Sequence, residues 1–342
     1  MSGALKSGLG GQAYRHDLSS GNGTSIMKRI VGARQTTLAS EISLTGTGVH
    51  TGAPVSILLS PADTHTGICF VLPDGNDGEI ELPASSDAIS NVTLCTVLSN
   101  GNGASVATVE HLLAALRALG VDNIRIEIDS SEVPIMDGSS APFVDAIDEA
   151  GIREQDAPRR FIKVLKTVRI EDGRSWAELF PHDGFLVDVG IEFDTPLIGN
   201  QRIRLDITPD TFRNELARAR TFGFMKDVER LWAAGLALGA SLENTVAIGE
   251  DRVINPEGLR FADEFVRHKA LDAVGDLALA GAPILGAYRS QCGGHRLNSL
   301  VLKALLADSS AWTLIEAPRR REVLHAEAGF GAVAANYAAD RS

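Results

Sequence analysis

Phe265-Val266-Arg267-His268-Lys269-Ala270-Leu271-Asp272-Ala273-Val274-Gly275-Asp276 is the stretch on which the reading of this chain turns. Its apolar residues (Val266, Ala270, Leu271, Val274, then Leu277) recur at helical spacing, which predicts an amphipathic helix. On that helix Glu264, His268, Asp272 and Asp276 lie four apart and share one face, each about a turn from the next. Such a stripe is either the solvated side of an ordinary helix or a row of ligand-type groups in which His268 and Asp272 reach one metal ion. The spacing alone leaves both open.

Working outward, the 342 residues exceed what one core usually absorbs, so two domains are expected. Hydrophobic content of 44% with 22% charged residues describes a chain able to bury a substantial core. A net charge of −12 argues against a general nucleic-acid surface, although a local cluster of Arg and Lys could still serve a small anion. The three cysteines, Cys69, Cys95 and Cys292, form no disulfide framework and no C-x-x-C pair, which fits a reducing cytoplasm. No stretch approaches the roughly 18 apolar residues of a membrane span.

Residues 1–27 are polar and glycine-rich and are expected to be a flexible tail, and 331–342 are expected to be a C-terminal tail. From Thr36 to Val71 apolar and polar residues alternate between glycines, predicting antiparallel strands with tight turns. His50 sits at one such turn, where an exposed histidine and a functional one look alike. Asn91 to Leu98 reads as a strand in which Cys95 is a buried, inert thiol. A helix follows the glycine-rich loop at 100–103, with Ser105 or Thr108 as its cap and Gly120 closing it. That loop matches neither a dinucleotide nor a P-loop fingerprint. A second helix starts at Ser140 or Ala141 with Pro142 in its first turn.

The charged segment Arg153–Arg160, containing Pro158, is the expected boundary between a first domain (28–156) and a second (157–330). The second repeats the plan: strands from Phe161 to Ile207, a helix near Asp210–Ala219, an apolar insertion at 222–249, the His268 helix and a last helix near Leu297–Leu306. Strands with segregated helices point to an α+β fold. The repeat is one of pattern only.

Three histidines stand where chemistry could use them. His111 follows Glu110, His268 precedes Asp272 by four, and His295 closes Gln291-Cys292-Gly293-Gly294-His295. A catalytic zinc has three protein ligands and an open position, where it brings the pKa of water down to about 7. His111, His268 and Asp272 could supply the ligands, with Glu110 as the base. Adjacent helical residues point about 100 degrees apart, so Glu110 need not compete with His111 for the ion.

Thr108-Val109-Glu110-His111-Leu112, Ala219-Arg220-Thr221-Phe222-Gly223-Phe224, the His268 stretch and Gly294-His295 together resemble the UDP-3-O-acyl-N-acetylglucosamine deacetylase family, zinc amidases of lipid A biosynthesis. Thr47–Gly52, Pro134–Ser139 and Leu259–Glu264 add to the likeness, which runs in family order from about Lys28 to at least Leu306. The resemblance implies two similar domains, each a β-sheet with two helices, their helical layers packed together between outer sheets. It implies one Zn2+ per chain on His111, His268 and Asp272, a donor set that would also accept Fe2+ or Co2+.

Glu110 then matches the general base and His295 the residue that stabilises the oxyanion or protonates the leaving amine. Asp276 matches the carboxylate orienting His295, and Thr221 the hydroxyl on the developing oxyanion. Lys269 matches a substrate-contacting cation, and His50, Phe222 and Phe193 fall among the substrate contacts, the two phenylalanines toward uridine and sugar. Met225 and Val228 of the insertion would wall a passage for the acyl chain, and Lys269, Arg267 and Arg289 are candidate cations for the diphosphate. The implied reaction is hydrolysis of the acetamide of a UDP-linked, 3-O-acylated N-acetylglucosamine, by a cytoplasmic monomer. Two other readings stand beside it: a thiol hydrolase using Cys292 with His295, and a non-catalytic module whose zinc only joins two domains.

Overall fold

A computed structural model describes residues 33–75 and 78–318. The expected tails at 1–27 and 331–342 lie outside the described residues. Two larger sheets and several helices carry the described chain, an α+β arrangement as expected. The helices used below are α1 (Glu110–Leu119), α2 (Ala141–Ala150), α3 (Met225–Ala233), α4 (Glu264–Ala278) and α5 (His295–Ala307).

In the first sheet the strand order is Ile42–Thr47, Pro54–Pro61, Ile124–Ile128, Ile68–Pro73, Glu79–Pro83. Val55, Ile57 and Leu59 are buried with Ile124, Ile126 and Ile128, while the residues between them are more exposed. One face of the pleat therefore turns to the core, as period-two alternation dictates. The second, seven-stranded sheet centres on Ile284–Gln291, flanked by Ser175–Phe180, Arg160–Val164 and Phe185–Glu192.

The expected antiparallel pattern holds for the Ile42–Pro61 hairpin but not throughout. Ile68–Pro73 runs parallel to Ile124–Ile128, and Phe185–Glu192 parallel to Ile284–Gln291. A parallel pair cannot be closed by a tight turn and needs a crossover. α1 lies in the first crossover and α4 in the second, so the two helices bearing the candidate ligands occupy corresponding places in the two halves.

α1 and α4 pack directly on each other. Every residue of α1 except Arg117 is buried, as befits a helix enclosed between layers. The helices come close at Gly275, where a Cβ would stand 2.0 Å from the carbonyl oxygen of Glu110. Only glycine allows that approach, and it brings Glu110 and His111 beside Asp272 and Asp276. One continuous hydrophobic cluster, including Phe70, Phe143, Phe212 and Phe265, spans both sheets and the helices between them. Each such fully buried side chain contributes roughly 1.5–3 kcal/mol relative to exposure.

Several local expectations are corrected. Within the charged segment 153–160, which the sequence reads without regular structure, lies most of a strand, Ile152–Pro158, pairing antiparallel with Arg34–Leu38. Asn91–Leu98 is not one strand: Ile89–Asn91 and Val97–Ser99 pair across a turn that holds Cys95. Ser105 belongs to a short strand, and neither it nor Thr108 caps α1, which begins at Glu110. The Thr108 hydroxyl instead donates to Glu132, a buried carboxylate that outbids the helix terminus for it. Near Asp210–Ala219 the turn Pro209–Thr211 widens into Phe212–Leu216 and stops. Gly120 closes α1 in the left-handed conformation and Pro142 sits in the first turn of α2, both as the sequence predicts.

Candidate metal centre

The stripe on α4 is buried: Glu264, His268, Asp272 and Asp276 are each 2% exposed or less. The solvated-face alternative is therefore wrong. Nor does the stripe act as one set. Glu264 at its start accepts from the Arg220 backbone N–H and guanidinium and from the Arg260 N–H, and so belongs to a separate ion-pair cluster. The remaining three turn toward α1.

His111, His268 and Asp272 bring one ligand atom each to within 4.8 Å of one another. Asp272 Oδ1 lies 3.3 Å from His268 Nε2 and 3.7 Å from His111 Nε2. Ligands about 2.0–2.1 Å from a tetrahedral ion stand about 3.3–3.4 Å apart, so these separations suit a common cation. Two further observations test the fit. Asp272 Oδ1 is buried with no hydrogen-bond partner among the described residues, a cost that a bound cation removes. His268 Nδ1–H donates to the carbonyl of Ala219 at 3.0 Å, which leaves the lone pair on Nε2, facing the other donors. Burial lowers the His268 pKa to about 3, so the ring is neutral, the form that ligates. Burial works against the charge of Asp272, yet the groups around it, the Lys269 ammonium among them, outweigh it and hold that carboxyl well below its ordinary value. The donor set fits a divalent metal.

Around this trio stand the acid–base candidates. Glu110 opens α1; its Oε2 accepts from the N–H of Thr96 at 3.1 Å, and its Oε1 lies 3.7 Å from His295 Nε2. Burial pushes the Glu110 carboxyl up, with His295 and His111 pulling the other way. His295 is the first residue of α5, and its Nδ1 meets Asp276 Oδ2 at 2.9 Å. Burial opposes charging this ring, but Asp276, Glu110 and Asp272 prevail and raise it to about 9. Lys269 Nζ donates to Asp272 Oδ2 at 2.9 Å.

Glu110, His111, His268, Lys269, Asp272 and His295 line a cavity of about 710 Å3 that also takes in His50, Thr221, Phe193, Phe222, Met225 and Val228. Thr221 is fixed where its N–H donates to the carbonyl of Gly138. Gly138 has φ +83, and a Cβ there would stand 1.9 Å from the Asn244 carbonyl oxygen. Phe193 and Phe222 meet edge to face at 5.9 Å. On one wall α3 has no buried residue, and Met225, Trp232 and Leu242 keep 42–56% of their surface exposed.

Two expected cations are elsewhere. Arg267 is tied to Glu215 and Asp263 over the Phe261 ring, and Arg289 to Asp188 and Glu178 over Phe180; neither lines the cavity. Arg296, paired with Asp172, does line it and went unnoticed in the sequence. Cys95 is buried as expected, at the cavity wall, and its thiol is pushed up to about 12 by burial and by Glu110. Cys292 lines the cavity, but no hydrogen bond joins it to His295 among the described residues, whose nitrogens face Asp276 and Glu110.

Three further residues were missed. Glu132 is fully buried and accepts from the N–H of His50 and of Thr51 and from the hydroxyls of Thr51 and Thr108, tying the His50 turn to the entry of α1. Thr96 and Asn298 both donate to Asp276, at 2.6 and 2.8 Å. Asn298 was legible in principle, three residues beyond His295 on the same helical face; Thr96 and Glu132 had no local signal.

Comparison with known proteins bears on this geometry. A family model described as UDP-3-O-acyl N-acetylglycosamine deacetylase matches residues 35–307. The chain is 56% identical over 286 residues to the UDP-3-O-acyl-N-acetylglucosamine deacetylases of Brucella ovis and Brucella canis, covering 83% of this chain and 99% of each relative. The Brucella melitensis protein of the same name is 55% identical over the same length. No described helix is long and apolar enough to cross a membrane.

Proposed function

The chain belongs to the UDP-3-O-acyl N-acetylglycosamine deacetylase family, and from that premise we propose how its residues divide the work. The protein is an amide hydrolase that deacetylates UDP-3-O-acyl-N-acetylglucosamine in lipid A biosynthesis. Our reading assigns a zinc ion to His111, His268 and Asp272, a set that also suits iron(II) or cobalt(II). When bound, the ion supplies Lewis-acid chemistry that polarises the acetamide carbonyl and acidifies water.

Glu110 takes the proton from water as its oxygen attacks the acetamide carbon; its raised pKa makes it a better base than an exposed carboxylate. His295, charged through Asp276, faces Glu110 across 3.7 Å and delivers a proton to the departing amine. The products are acetate and the free 2-amine. The Thr221 hydroxyl donates to the developing oxyanion. Lys269, His50, Phe193 and Phe222 contact the sugar nucleotide, and Met225 and Val228 line the acyl passage, where exposed apolar side chains meet an apolar ligand instead of water. The same reading has the protein act in the cytoplasm as a monomer, its domains meeting at the metal.

The observation that carries this reading is the orphaned Asp272 Oδ1 between two imidazole nitrogens, with a base and an acid beside it. The test is release of acetate from UDP-3-O-acyl-N-acetylglucosamine before chelation, after chelation and after adding back Zn2+. Activity should vanish and return. Activity indifferent to chelation would overturn the assignment.

A further inference from the structure

Deepening the deacetylase reading on which this rests, we propose that Thr96 is a positioning residue for the reaction, setting the placement of Glu110 relative to His295 by gripping Glu110 and Asp276 together. Thr96 is 1% exposed. Its backbone N–H donates to Glu110 Oε2 at 3.1 Å, and its hydroxyl donates to Asp276 Oδ1 at 2.6 Å. Those carboxylates come from different helices, α1 and α4, which meet at Gly275. One residue of a connecting turn thus bonds to the base and to the partner of the acid.

The grip matters because an Asp carboxylate is soft about its last torsion, whose wells are broad. Oδ2 of Asp276 is held by His295 Nδ1 at 2.9 Å and Asn298 Nδ2 at 2.8 Å. The Tyr288 hydroxyl donates to Asn298 Oδ1, which fixes the amide with its NH2 toward Asp276. Thr96 supplies the only hydrogen bond to Oδ1 among the described residues. Without it the carboxylate is pinned at one oxygen and can pivot. His295 follows, because it is the first residue of α5 and its Nδ1 is anchored on that carboxylate. The separation of His295 Nε2 from Glu110 Oε1 then loses its definition.

The test uses Thr96→Val, which keeps the side-chain shape and the N–H bond to Glu110 but removes the bond to Asp276. We expect kcat to fall about 10–100-fold, the usual cost of losing an outer hydrogen bond at such a site, with KM and bound metal unchanged. Thr96→Ser should restore kcat to within about 2-fold of wild type. In an Asp276→Asn background Thr96→Val should cost no more than about 2-fold, because residues acting through one another are not additive. The NMR resonance of the His295 Nδ1 proton should move in Thr96→Val and stay in place in Thr96→Ser. Wild-type kcat in Thr96→Val, or the same loss with and without Asp276→Asn, overturns the proposal. The NMR readout needs no turnover, so an inactive wild type would sink the deacetylase reading while the resonance still decides the role of Thr96.

Discussion

Two clusters of buried charge lie along α4, and they differ in one respect. At its N-terminal end Arg220 and Glu264, 1% and 0% exposed, leave nothing unpaired: Glu264 accepts four hydrogen bonds, and Arg220 also reaches Glu257 and the Gly258 carbonyl. One turn on, His268 and Asp272 join His111 in a cluster as deeply buried but incomplete. Asp272 Oδ1, which faces Nε2 of both imidazoles, lacks a hydrogen-bond partner among the described residues. A closed cluster serves to hold the chain together, whereas an open one is a cost that something else must offset. We read the first as structural and the second as a place for a cation.

The largest effect expected from this contrast is on turnover. Glu110→Ala should lower kcat about 10^2–10^4-fold, the usual contribution of a proton-transfer group, with metal content and Tm near wild type. A loss of folding instead would move Glu110 into the structural class. Glu264→Ala should do the reverse, destabilising the protein by about 3–5 kcal/mol because buried Arg220 loses its buried counter-charge and keeps only the half-exposed Glu257, as read by urea unfolding. Near-wild-type stability in that variant would break the comparison.

A third expectation concerns His295. Its folded pKa, about 9, lies above the ordinary 6.5, so its contribution to stability is fully present below 6.5 and lost as pH rises through about 9. NMR titration of the metal-free protein should place the ring near that value, and Asp276→Asn should bring it down. A ring titrating near 6.5 in both would contradict the pairing. The smallest effect is at Cys292, where Ser should change kcat by no more than about 2-fold. Abolished activity would revive the thiol hydrolase.

How much of this could be read from the chain depends on how local each signal is. Glu110 with His111, and His268 with Asp272 and Asp276, are neighbours at helical spacing, and their chemistry shows in short motifs. Lys269 is visible for the same reason. Thr96 meets Asp276 across 180 positions, so no spacing announces it. Glu132 reads as one acidic residue among many, and only its complete burial sets it apart. Arg289 looked available because Asp188, which holds it, lies on another element, and Arg267 because Glu215, which holds it together with the nearby Asp263, does too. In the fold, alternation revealed the strands but not their direction, since parallel and antiparallel neighbours share one period. The strand at Ile152–Pro158 was hidden by charge and proline, which an edge strand tolerates.

The most direct test of the account is the metal stoichiometry of purified Asp272→Ala beside wild type, by elemental analysis with folding checked by circular dichroism. The account predicts one divalent ion per wild-type chain and a folded variant that holds none. An Asp272→Ala protein that kept its ion as tightly as wild type would contradict it.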